Sequence, residues 1–239
     1  MKNKENKLFW EKYNEFWKEY NEQKVAYGKK VLDYNNRNEF NFIEESSYPH
    51  VRDLSALVIA NLANTAKDSC LKVLDYGSNT TSIVNLKHKI ATQKIKYVIY
   101  DPTNSHYSKN KDLDFIDYYV VSDHKELERQ YFDLTIFGSS IQYIPEVFDV
   151  LGKTYITNSS QILFTCTPLS LGEQLIFKQQ DSSYTGDVIH HSYQELKDFF
   201  QEKYFDLIFK SNLSLEFARM DKKYWDKVVL INLLFSRRL

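Results

Sequence analysis

The chain has 239 residues, 43% of them hydrophobic and 15% aromatic, which is enough to bury one sizeable core and excludes a wholly disordered chain. Lys and Arg number 31 against 32 Asp and Glu, a net charge of −1, so the basic excess that drives non-specific binding to phosphate backbones is missing and nucleic acid is not the expected partner. Cys70 and Cys166 are too few for a disulfide framework and have no metal-ligand spacing, and the 6 glycines are scarce enough that each one is informative.

Residues 4–34 place Phe9, Tyr13, Phe16, Trp17 and Tyr20 at the three-to-four spacing of one helix face, which predicts a helix. Residues 35–50 lose that period and read as a connection to a second apolar helix over about 51–67. The opening MKNKENKLFWEKYNEFW has no apolar leader core. The runs LSALVIANLA and VVLINLLF fall well short of the ~20 apolar residues that span a bilayer, so the expectation is a cytoplasmic protein. From residue 72 short β-rich runs recur, at 72–76, 96–101, 118–122, 133–138 and 161–167. Several are apolar without alternation, as strands of a parallel sheet covered on both faces are, with room between them for crossover helices. Residues 168–191, PLSLGEQLIFKQQDSSYTGDVIHH, read as a long functional loop of little regular structure. Ser192-Tyr193-Gln194-Glu195 fits a capping box and predicts a helix start. Strands at 204–210 and 227–236 follow as an antiparallel pair. The expected architecture is α/β: a doubly wound seven-stranded sheet, five parallel strands plus a C-terminal antiparallel hairpin, at residues 68–239, behind a helical N-terminal cap at 1–67.

The sharpest chemical signal is VLDYGSN at 73–79, an apolar strand ending in Asp75 and turning at Gly77. A glycine there lets backbone N–H groups approach a ligand closely; the alternative is an ordinary strand-to-helix loop. The next strand, KYVIY, ends in Asp101, where a carboxylate can accept from two ribose hydroxyls, or simply form a turn before Pro102.

These segments resemble the class I S-adenosylmethionine-dependent methyltransferases. VLDYGSN is similar to their first motif, YVIYD to the second, VVSD to the third, FDLTIFGSSIQYIPEV to the fourth and QILFTCTPL to the fifth strand, an order that covers about 72–236. More narrowly, FGSSIQYIPEVFDVL, CTPLS, YNEFWKEYNEQKVAYG and YPHVRDLSAL resemble a group of bacterial methyltransferases associated with surface-polysaccharide synthesis. Asn79 and Thr81 stand where the family pattern has glycines, and Asn is among the few other residues that accept left-handed conformations. The same turn lacks the G-x-G-x-x-G fingerprint of NAD binding.

The resemblance implies that S-adenosylmethionine is the cofactor. Asp75 and the Gly77 backbone, with Tyr76, Ser78 and Asn79 in the same turn, would hold its amino-acid end. Asp101, with Pro102, would take the ribose. Asp123, with Ser122, would accept from the adenine amino group, or else Asp123 caps the helix that starts near His124. Ser139 and Ser140 would face the methionine part, and Gln142, Tyr143, Lys178 and Gln180 the acceptor. A hydroxyl acceptor benefits from a general base, and His190 and His191, next to the capped helix, are the candidates, with His191 favoured as the better fixed. The Asn/Asp-Pro-Pro-aromatic motif of amino-group methyltransferases is replaced by SSIQYIP, which favours oxygen. The expected reaction is methyl transfer to a hydroxyl of a sugar or nucleotide-linked sugar in capsule or O-antigen synthesis. The alternatives are a non-catalytic scaffold of the same fold and an N-methyltransferase of an amino sugar.

Overall fold

The computed structural model describes residues 49–65, 70–77, 95–101, 117–180, 185–215 and 222–238. The expected helix at 4–34 lies outside these residues.

Helix α1 (Pro49–Thr65) begins at a proline, which suits a first helical turn, and repeats Ala56, Ile59 and Ala63 on one buried face. Strands β1 (Leu71–Tyr76), β2 (Ile95–Tyr100), β3 (Asp117–Val121) and β4 (Leu134–Gly138) follow. Two short helices, α2 (Val147–Leu151) and α3 (Thr154–Thr157), lead into β5 (Gln161–Ser170). Then come β6 (Leu175–Gln180), β7 (Thr185–His190), α4 (Tyr193–Glu202), β8 (Phe205–Leu213) and β9 (Val228–Arg237).

Among the described residues seven strands form one sheet in the order β3-β2-β1-β4-β5-β9-β8. The first five are parallel, and β9 runs antiparallel to both β5 and β8, as the sequence predicts. Because both faces are covered, successive residues of one strand enter different cores. Val73, Tyr97, Ile99, Leu134 and Leu163 pack with α1 on one side. Leu74, Tyr76, Tyr100, Phe137 and Phe164 pack with α2, α3 and α4 on the other. Helix α1 packs against the sheet's own core.

One expectation is corrected. Residues 168–191 are not a loop: β5 continues to Ser170, and β6 and β7 form an antiparallel two-stranded sheet of their own. Its inner positions, Leu175, Phe177, Gln179, Val188 and His190, are buried or half-buried, while Ile176, Lys178 and Asp187 point to solvent. The mixture of polar and apolar residues on each face hides the alternation from a hydropathy reading. Helix α4 starts where the capping box puts it, the Glu195 N–H donating to Ser192 Oγ at 3.4 Å.

Candidate active site at the carboxyl edge of the sheet

Parallel strands deliver their carboxyl ends to one edge, and the register decides which residues meet there. Tyr76 pairs with Tyr100, so Gly77 and Asp101, each one residue further on, stand side by side. Asp75 pairs with Ile136, so Gly138 ends level with Gly77. The Gly77 N–H donates to the Tyr100 carbonyl (3.0 Å) and the Asp101 N–H to the Val121 carbonyl (2.9 Å), fixing both turns to the neighbouring strand. Gly77 has φ 75°, a conformation that penalises a Cβ. Asp75 and Asp101 are 3% and 4% exposed, two buried acids on adjacent strand ends. Tyr97 Oη donates to Asp75 Oδ2 at 2.6 Å. Ser78, Asn79 and Pro102 lie outside the described residues.

Beyond β3, Ser122 is half-buried and Asp123 exposed. Asp123 Oδ1 accepts from the Lys125 N–H at 2.9 Å and caps the short 3-10 turn His124–Glu126. His124 from that turn lies 4.6 Å from the Tyr100 ring and 6.2 Å from Tyr76, and its Nδ1 meets the Tyr155 hydroxyl. Burial pushes its pKa down to about 4, with help from the nearby Lys153 charge.

The turn after β4 is the third component. Ser139 adopts φ 52°, unusual for a residue with a side chain, and its N–H donates to the Thr165 carbonyl at 2.9 Å. Gln142 Nε2 donates to Ser139 Oγ at 2.9 Å. Ser140 Oγ and Gln142 Oε1 are buried with no hydrogen-bond partner among the described residues, in residues only 2% and 4% exposed.

The β6–β7 hairpin packs over this turn. The Tyr143 hydroxyl meets Gln179 Oε1 at 3.5 Å, and His191 Nε2 meets the Ile141 carbonyl at 3.1 Å. His191 Nδ1 faces the Gln174 side-chain amide at 3.2 Å. Burial lowers the His191 pKa against the backbone carbonyls of Ile141 and Ile144, which raise it. A neutral ring has one N–H, so it donates from Nε2 to Ile141 and accepts at Nδ1 from Gln174 with that amide turned to present nitrogen. His190 differs. Its Nδ1 is buried with no partner among the described residues, its ring lies 4.5 Å from Phe177, and burial, then His191, pushes its pKa down to about 4. Ser140 and Gln142 thus flank Ile141, whose carbonyl His191 holds, and His190 precedes His191 at the end of β7. Lys178 stands exposed on the outer face of the hairpin, paired in register with Asp187, and Gln180 ends β6 opposite Thr185.

Tyr97, Gln174 and Gln179 are the partners that motif reading passes over. Tyr97 sits inside KYVIY, where hydropathy shows only a buried strand, and Gln174 and Gln179 belong to the hairpin that was expected to be a loop.

The strand order and directions define a methyltransferase-like α/β fold. The N-terminal domain of EvdMO1, solved with SAH bound, matches 81% of this chain and 85% of that one, with 10% identity and a TM-score of 0.52. Looser matches are a magnesium protoporphyrin IX methyltransferase from Synechocystis PCC 6803 and the 1,6-didemethyltoxoflavin-N1-methyltransferase of Burkholderia thailandensis. The first has 13% identity over 88% of this chain and 99% of that one, with a TM-score of 0.47. The second has 8% identity over 90% and 91%, with a TM-score of 0.48. No protein-family model and no curated protein matches the sequence.

Proposed function

We propose that the chain is an S-adenosylmethionine-dependent methyltransferase acting on a hydroxyl of a sugar or related small molecule, within surface-polysaccharide synthesis. The observation that carries the reading is the pair of buried acids, Asp75 and Asp101, beside the positive-φ turn at Gly77. Two carboxylates on adjacent strand ends suit a ligand with an ammonium at one end and vicinal ribose hydroxyls at the other, and Gly77 lets backbone approach between them. The fold match to a domain solved with SAH supports the same ligand. Tyr76, Ser78, Asn79 and Pro102 are assigned to the same ligand by their place in the sequence, and Ser122 and Asp123 to its adenine side. When bound, S-adenosylmethionine would supply a methyl carbon activated by its sulfonium, open to in-line attack by the acceptor oxygen as the carbon–sulfur bond breaks and S-adenosylhomocysteine leaves.

The chain's own task is then to align the acceptor, exclude water and take one proton. Ser140 Oγ and Gln142 Oε1, which have no partner among the described residues, hold the acceptor by hydrogen bonds. The His pair divides the rest. His191, with both ring nitrogens engaged, fastens the hairpin to the β4 turn. His190 Nδ1, neutral at pH 7 and with no partner among the described residues, accepts the hydroxyl proton as the methyl arrives and passes it to solvent. Sequence position favoured His191 for this step, whereas the hydrogen-bond geometry favours His190. The burial that keeps His190 neutral also makes it a weak base, so its contribution falls toward the lower end of the usual range, about 10²-fold.

Transfer of labelled methyl from S-adenosylmethionine to neutral glycosides and nucleotide-linked sugars, run beside amino sugars, tests the acceptor. Label on oxygen supports the reading. Label on amino sugars alone would replace it with N-methylation.

A further inference from the structure

We infer that Tyr97 is a positioning residue for the cofactor site: its hydroxyl, 2.6 Å from Asp75 Oδ2, sets the orientation of the carboxylate that receives the amino-acid end of the ligand. The inference rests on the methyltransferase reading.

The arrangement follows from the sheet. Asp75 pairs in register with Ile99, and Tyr97, two residues earlier on β2, lies on the same face one layer deeper in the core. Its ring sits among Val73, Ile95, Ile99 and Leu134 and is 1% exposed. Phe would fill that space equally well without a polar atom to satisfy. The hydroxyl instead reaches toward the carboxyl edge and ends on Asp75, at the short distance expected of an O–H donor on an ionised carboxylate. Burial and the Asp75 charge hold the Tyr97 phenol well above its ordinary range, so it remains a donor throughout the pH range of any assay. A carboxylate at a strand end has two free torsions. A buried donor on one oxygen removes that freedom from the core side before any ligand arrives, and such preorganisation improves binding without a new ligand contact.

A purely structural role predicts something different. It would affect every part of the ligand equally, or only the unfolding temperature. The test is therefore calorimetry on the full chain with two probes: S-adenosylhomocysteine, which has the amino-acid end, and 5′-methylthioadenosine, which lacks it. Tyr97→Phe should weaken the first by about tenfold, the scale of one hydrogen bond to a charged group, and leave the second unchanged. Equal loss for both probes, or no loss for the first, would overturn the inference. Should Tyr97→Phe not fold, Tyr97→Leu and Tyr97→Met, which also lack the hydroxyl, are measured with the same two probes. Loss for S-adenosylhomocysteine alone supports the inference, and equal loss for both probes or no loss overturns it. Binding by the parent but not altered by Tyr97→Phe defeats only this inference; no binding by the parent defeats the functional reading and the inference together.

Discussion

Replacing each histidine of the pair with leucine separates their roles, because the side chains are nearly equal in burial and opposite in hydrogen bonding. His191 is 1% exposed and holds the carbonyl of Ile141, a residue with no exposure at all. His191→Leu keeps most of the volume, so the cost is dominated by the buried carbonyl left without a donor, about 1–3 kcal/mol. Gln174 is exposed and regains water, so its lost contact adds little. At about 2–4 °C per kcal/mol for a chain of this size, the unfolding midpoint should fall by roughly 2–12 °C. His190→Leu removes a buried Nδ1 that has no partner among the described residues and retains an apolar contact with Phe177, so stability should be unchanged or slightly higher. Its effect should appear instead in turnover, with a loss of at least about tenfold. Thermal unfolding followed by circular dichroism, together with methyl transfer, reads both. If His191→Leu melted with the parent, or His190→Leu lost as much stability as His191→Leu, the division of roles would be wrong.

Stability should also depend on pH. His124 and His190 are held near pKa 4 by burial against an ordinary 6.5, and His191 is lowered too, so the unfolded chain binds the extra protons and stability falls as pH drops from 6.5 toward 4. Each of the first two contributes on the order of 3 kcal/mol at most, and urea unfolding that gave equal stability at pH 7 and pH 4.5 would contradict this. Asp101→Ala should weaken S-adenosylhomocysteine by about 1–3 kcal/mol with the fold intact. Affinity equal to the parent would remove Asp101 from the ribose.

The strands were legible because they are covered twice. KVLDY, KYVIY and DLTIFG are apolar on both faces, and the structure buries both faces against helices. The Ser192 cap was legible because it is local, decided within four residues. What stayed hidden depends on partners far along the chain. In β5, Cys166 adopts φ 49° where the register with β9 shifts, and its N–H donates to Asn232 Oδ1, 66 positions away. The hairpin escaped notice because Lys178 and Asp187 outside, and Gln179 and His190 inside, make both of its faces amphipathic. The site shows the same division. Asp75, Gly77 and Asp101 announce themselves at strand ends, and register brings them together. The contrast between His190 and His191 depends on the Ile141 carbonyl, 50 residues earlier, and no local pattern carries it. Tyr97 likewise reads as core until its hydroxyl is placed on Asp75.

The strand ends that carry Asp75, Gly77 and Asp101 are proposed to bind S-adenosylmethionine. Calorimetric titration of the full chain with S-adenosylhomocysteine tests this most directly, since it needs no acceptor. Saturable binding of one equivalent at millimolar concentration or below is the expected result. No binding at millimolar ligand would contradict it and leave a methyltransferase fold serving as a scaffold.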